Sequence, residues 1–527
     1  MSKVGFNLLS SFPLPQNLQG PPTSNHSSTA STSTTTTKTQ NNYGLHHLQT
    51  NWPGETGNGR HLDVKPGMTL FQILSPTQQE EEQQQQKTKK SPKTIVIPLF
   101  QRRYCWTPVQ IELWFQDVYK ASQSHATHKA MFKRHMSENN QEQLLCLDGQ
   151  QRITTTTLLL AAIRGYCRRA KMESTVTKID ELLFGSDSEK IHQWARKQAA
   201  TVLSAQQSKS SSDHQQEVVE TCFDWTLESF PTGWLPQSTE FQTTLVPSYI
   251  DRAAYFEILC FDPIQQALEN LDVLAAEEND DKSNQIHLHF SSTTKESMQY
   301  IAYSTFSQLA KKLLKPAAAG NIDFNAKVLS KLFYNQLHRF SMTYLELLTK
   351  NDNLQQIFLW MQEKSVFGMG RLLFNPHPGI DFAPVDLARN LIVSSAMNLP
   401  LQEQVEFYTR CWVQPLEGKC KDTEVLGNVL EHFVNRIDQE KGKDRHVGSM
   451  EEKLNYYRSV VPPALQKNFT DDMPMMVYGR FHSYVQYKAT ELESDPNVIS
   501  RELADVIVQE LVQQGDKMGV LLHQKNV

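Results

Sequence analysis

Apolar positions fall into two kinds of pattern along this chain, and the first that orders strongly is a strand. Thr94-Ile-Val-Ile-Pro98 is a β-branched run closed by proline, which predicts a strand that stops there. Thr107 and Pro108 then suit the N-cap and first turn of a helix. That helix runs over 109–121, with Ile111, Trp114, Phe115 and Val118 on one face. Leu144-Leu-Cys-Leu147 reads as a second buried strand, and after Gly149 a helix carries the apolar run Leu158–Ile163 and Tyr166.

Beyond this point the period is mostly helical. Helices are predicted over 178–183, 191–203, 253–259, 298–314, 326–340, 354–363, 385–396, 426–439 and 499–514. A short helical turn is expected from Leu70, Ile73 and Leu74. Two stretches break the pattern altogether: the Ser/Thr tract at 27–39 and the Gln/Glu-to-Lys tract at 78–93. Neither holds enough apolar surface to offset its ordering entropy. The expected class is α+β: a small α/β core followed by a large, mainly helical region. The expected boundaries are a disordered tail over 1–61, a core over 62–170 with an insertion at 76–93, a helical region over 171–417, and a C-terminal helical region over 418–527.

Composition narrows the function classes. The net charge of −5 disfavours a protein that coats nucleic acid over its whole surface. Seven widely scattered cysteines with no C-x-x-C pair suit reduced thiols, and so an intracellular protein, cytoplasmic or nuclear with an organelle still open. Six residues, Leu158–Ile163, make the apolar run of the central helix, far short of a membrane span, and no membrane partner is expected. The first 54 residues lack Asp and Glu, but the first arginine is Arg60, so a plain tail is favoured over a transit peptide.

The chemistry concentrates at Leu147-Asp148-Gly149-Gln150-Gln151-Arg152, where a strand turns into a helix. A helix start leaves N–H groups unpaired and favours an anion. Gly149 permits a sharp turn and close approach of a ligand. Arg152 offers a planar fork suited to phosphate, Gln150 and Gln151 add amides, and Thr154–Thr157 add hydroxyls. Asp148 could hold a metal, orient a water or brace the turn; an ordinary turn capped by Asp148 fits the same residues. A second strand end, Ile97–Trp106, carries Gln101, Arg102, Arg103, Tyr104 and Trp106. If the two strands are neighbours, both ends form one polar crevice, with Tyr104 and Trp106 either on the pocket wall or packed against Trp114 and Phe115.

Ile-Pro-Leu-Phe-Gln-Arg-Arg-Tyr-Cys-Trp (97–106), Trp-Phe-Gln-Asp-Val (114–118) and Asp-Gly-Gln-Gln-Arg (148–152) together resemble the N-terminal domain family of GmrSD-type restriction endonucleases. Looser likenesses lie at Leu245–Phe256, Ala302–Phe306, Ile357–Phe358, Asp386–Asn390 and Tyr408–Trp412. The resemblance implies a ParB/sulfiredoxin-like core that binds and hydrolyses a nucleoside triphosphate, with Mg2+ as an open requirement. It implies phosphate-holding roles for Gln101, Arg102, Arg103, Gly149, Gln150, Gln151, Arg152 and Thr154, and catalytic roles for Asp148 and Arg152. No His–Asn–His constellation follows Trp412, so a nuclease would sit on another chain or be absent.

Other signals are weaker. His287 and His289 alternate but lack a third ligand, and no metal site is expected from them. Arg164, Arg168, Arg169 and Lys171 are read as favourable charges at a helix C-terminus, with a DNA-facing patch as the sharper alternative. Three functions remain: a regulatory nucleoside-triphosphate hydrolase, a nucleotide- or protein-binding module without turnover, and a DNA-binding scaffold.

Overall fold

In the computed structural model, the described residues are 62–74, 94–99, 101–120, 128–136, 142–185, 188–207, 243–278, 288–314, 321–339, 341–347, 383–394, 396, 401–420, 423–444, 473–492 and 499–521. The chain divides into two units, Met1–Thr50 and Asn51–Val527. All described residues belong to the second. The Ser/Thr tract, the Gln/Lys tract, the helix expected over 354–363 and His287 lie outside them.

The fold is α+β, with one mixed sheet and a large helical region. The strands are β1 (Leu62–Thr69), β2 (Thr94–Val96), β3 (His128–Met136), β4 (Glu142–Asp148), β5 (Leu245–Val246) and β6 (Ser341–Leu347). Their order is β1-β6-β3-β4-β2-β5. The helices are α1 (Leu70–Leu74), α2 (Pro108–Lys120), α3 (Gln150–Arg169), α4 (Glu173–Phe184), α5 (Ser188–Gln207), α6 (Arg252–Glu278), α7 (Met298–Leu313), α8 (Asn321–Tyr334), α9 (Pro384–Ser394), α10 (Leu401–Tyr408), α11 (Thr423–Asp444), α12 (Met473–Glu491) and α13 (Arg501–Lys517). Among the described residues no helix is long and apolar enough to cross a membrane.

The sheet does not end where the helical region was expected to begin. Strands β5 and β6, from 245–246 and 341–347, complete it at one edge and within its other half. Parallel strands need long crossovers, so a sheet of this kind collects its members from distant sequence. What matters for function is direction: β4, β2 and β5 run parallel as neighbours. Their C-terminal ends therefore deliver three segments to one edge: Asp148–Arg152, Pro98–Trp106 and Pro247–Arg252. In open α/β sheets ligands bind outside such strand ends.

Helix α3 is the axis of the core. From Gln150 to Arg164 every side chain is buried. Four consecutive threonines are poor helix formers, but here three of them bury with their hydroxyls bonded to the preceding turn. Thr155 donates to the Gln151 carbonyl at 2.7 Å, Thr156 to Arg152 at 2.8 Å and Thr157 to Thr154 at 2.9 Å. At the strand-end edge, Leu99 and Leu147 join one apolar cluster with Trp412, Phe433, Phe481 and Ile507 of the C-terminal helices.

At the far end of α3, Arg168 and Arg169 stand in the last turn, as read from the sequence, but Arg164 and Arg168 also reach neighbouring helices. Pro263 lies inside α6 and has no N–H, so the Leu259 carbonyl four residues earlier loses its helical partner. Arg164 donates to that carbonyl at 2.5 Å and pairs with Asp180 at 3.0 Å and Asp262 at 3.3 Å. Arg168 pairs with Asp262 at 3.2 Å and donates to its carbonyl at 2.9 Å. These charges join three helices. Arg169 lies over the Tyr166 ring at 4.4 Å.

Candidate functional site

Gly149 sits at the α3 N-cap with φ of +87°, a left-handed backbone that favours glycine. Its N–H donates to Asp148 Oδ1 at 2.7 Å. The turn thus forms as the sequence suggests, with Asp148 bracing it. Its neighbouring glutamines form a buried ladder. Gln101 Nε2 donates to the Leu147 carbonyl at 2.9 Å, and Gln150 Nε2 donates to Gln101 Oε1 at 3.0 Å. Gln151 Nε2 donates to the Arg103 carbonyl at 3.0 Å, while Gln151 Oε1 accepts from the Cys105 N–H at 3.0 Å.

Gln151 therefore grips the segment 103–105 as a neighbouring strand would, through one donor and one acceptor. A third hold comes from β5's end: Asp251 Oδ2 accepts the Tyr104 N–H at 2.6 Å and the Ser248 hydroxyl at 2.5 Å. Burial pushes the Asp251 carboxyl up to about 6, against the pull of these hydrogen bonds. Tyr104 itself is buried, with its hydroxyl 2.7 Å from Thr155 Oγ1. Trp106 lies edge-to-face on Trp114 at 5.4 Å.

So clamped, the segment turns Arg102, Arg103 and Cys105 onto a cleft of about 370 Å³. This is at the small end of the usual range for small-molecule sites, about 300–1,000 Å³. Arg152 is buried beside it. Burial pushes the Arg152 guanidinium below its usual range; the nearby Asp148 opposes this, and the like charge of Arg102 adds to it. Arg102 and Arg152, from the ends of two neighbouring strands, therefore lie within electrostatic reach of each other. Tyr104 and Trp106 are not part of the cleft lining, and Thr154 is buried in α3.

The opposite wall was not foreseen. It is built by α9, α11 and α12, through residues that include Asp386, Asn428, Glu431 and Val477. Asp386 is held in turn by Arg389 at 2.9 Å, and Arg389 also pairs with Glu417 at 2.9 Å. Glu417 accepts the Trp412 indole N–H at 3.0 Å. Asp386 and Asp251 both stood in segments carrying a family likeness, which was the available signal. Nothing in the sequence marked Glu431. Among the described residues no group of three His, Cys, Asp or Glu side chains is placed to hold a metal ion; His289 and His432 are exposed.

Fold and site define an α+β protein with a guanidinium-lined cleft at the ends of parallel strands. The chain belongs to the family of the GmrSD restriction endonuclease, N-terminal domain, whose model matches residues 81–366. No curated protein matches the chain closely enough for comparison. The family match takes in Arg102, Arg103, Asp148, Arg152 and Asp251, and it ends before the opposite wall of the cleft begins.

Proposed function

We propose that the strand-end crevice binds the phosphates of a nucleoside triphosphate and hydrolyses it, the chain acting as a regulatory subunit for DNA restriction carried out by a separate nuclease chain. One observation carries this reading: the neighbouring parallel strands β2 and β4 lead to Arg102, which lines the cleft, and to the Asp148–Arg152 helix start. A guanidinium suits phosphate oxygens, and a helix start favours an anion. Asp148 is the carboxylate at this turn, and with one oxygen on the Gly149 N–H its other oxygen is the group for a water or a Mg2+ ion brought with the phosphates. The glutamines act by position: their amides hold segment 101–105 so that Arg102 and Arg103 reach the cleft.

The test is phosphate release from ATP, GTP, CTP and UTP with Mg2+, using the purified chain. Arg152→Ala should lower release roughly 10²–10³-fold, the usual cost of removing one charge-stabilising donor. No release above that variant's background, together with no binding by calorimetry, overturns the proposal. A second reading, binding without turnover, is favoured by the glutamine ladder, because Gln101, Gln150 and Gln151 already spend hydrogen bonds on the chain itself. Binding without release identifies that case.

A further inference from the structure

The cleft has two chemically different walls. Arg102 and Arg103 line one side; Asp386, Glu424 and Glu431 line the other. Arg389 matches the charge of Asp386, but the carboxylates of α11 disfavour phosphates at the second wall, so a nucleotide's phosphates are favoured on the arginine side. Helix α11 faces the cleft with Glu424, Gly427, Asn428 and Glu431, spaced i, i+3, i+4 and i+7 on one helical face. Gly427 leaves that face open: a Cβ added to it would meet nothing within 4 Å. The side chains of Asn428 and Glu431 make no hydrogen bond or ion pair with any described residue, although both border the cavity.

We infer that this face of α11 is the nucleoside wall of the cleft. It rests on the nucleotide reading above and extends it to residues outside the family match. Glu431 and Asn428 recognise the donor-bearing end of the ligand while Arg102 and Arg103 hold its phosphates. The shared chemistry is a pair of donors, supplied either by the sugar hydroxyls or by the N1–H and N2–H2 edge of guanine. Gly427 provides the gap that admits the ring.

Calorimetry on the full chain with inorganic tripolyphosphate, GTP, dGTP and ATP tests this. Nucleotides should bind more tightly than tripolyphosphate. Glu431→Ala should weaken the preferred nucleotide roughly tenfold, the scale of one hydrogen bond to a charged group, and leave tripolyphosphate unchanged. Arg102→Ala should weaken all four. Gly427→Leu should weaken the nucleotides by filling the gap. A drop from GTP to dGTP assigns the contact to the sugar; a drop from GTP to ATP assigns it to the base. Equal binding of nucleotides and tripolyphosphate, or no effect of Glu431→Ala on GTP and ATP, overturns the inference and leaves the proposed phosphate site standing. If tripolyphosphate and every nucleotide fail to bind, both fall.

Discussion

Two sets of arginines frame helix α3, and they are used in opposite ways. At its C-terminal end, Arg164 and Arg168 are bound up in carboxylates and carbonyls from α4 and α6. At its N-terminal end, Arg102 and Arg103 open onto a cleft and Arg152 lies near Arg102 in charge. In sequence both sets are short basic clusters beside a strand or helix. What separates them is the supply of acids from elsewhere in the chain: Asp180 and Asp262 reach the first set. Among the described residues no carboxylate lies within ion-pair distance of Arg103. A basic cluster speaks for a ligand only after its partners have been traced.

The sharpest way to break this comparison is to exchange the two outcomes by mutation. Arg164→Ala leaves the buried Asp180 with only His192, takes one of two arginine partners from Asp262, and leaves the Leu259 carbonyl without its donor. Removing one member of a buried pair costs about 3–5 kcal/mol. Urea unfolding should show a loss of that size, with the proposed nucleotide affinity per folded molecule unchanged. Arg103→Ala should do the reverse: stability within about 1 kcal/mol of the parent, and the proposed nucleotide binding weakened. If Arg164→Ala unfolds no more readily than Arg103→Ala, the two ends of α3 are not the contrast described.

The acids repeat the contrast. Burial pushes the Asp180 carboxyl up, but Arg164 and His192 outweigh it and hold the group below its ordinary range. Asp251, which grips the Tyr104 N–H, is pushed up to about 6 from the ordinary value of 3.8. The folded Asp251 thus keeps a proton that the unfolded chain has already released. Its contribution favours folding below 3.8 and is lost as pH rises through about 6. Two pH units correspond to roughly 3 kcal/mol. Asp251→Asn retains an oxygen for Tyr104 and Ser248 but does not titrate. From pH 4 to pH 7 the variant should therefore gain roughly 3 kcal/mol on the parent in unfolding experiments. A difference that stays flat across that interval would show that Asp251 titrates as it does in the unfolded chain.

How much of this could be read in advance follows from the same physics. Strands β2 and β4, the turn at Gly149 and the helices α2 and α3 were legible, because local pattern fixes them. Strand β1 was not: Pro66 and Gly67 interrupt it where its register with β6 shifts, a break tolerated at the sheet edge. Strand β3 hid behind a mixture of His, Lys and Arg around Phe132, and β5 is only two residues long. The site residues Arg102, Arg103 and Arg152 were singled out from their motifs. Their gathering depends on the parallel register of β2 with β4, which no local window contains. The second wall was invisible for a stronger reason, since Asp386 and Glu431 reach it only through packing of the C-terminal helices on Leu99 and Leu147.

The smallest effect sharpens the comparison at the cleft itself. A glycine inside a helix costs about 1 kcal/mol relative to alanine, through the freedom it loses on folding. Gly515, in α13, repays that by close packing: an added Cβ would stand 2.4 Å from Leu521. Gly427 has no such neighbour, yet it lies in the interior of α11. Gly427→Ala should therefore raise stability by up to about 1 kcal/mol, since the methyl group enters open space. Gly515→Ala should destabilise, because Leu521 must move. A thermal melt of both variants checks the signs. If Gly427→Ala also destabilises, the face of α11 is packed rather than open, and the cleft loses the gap through which its ligand is proposed to enter.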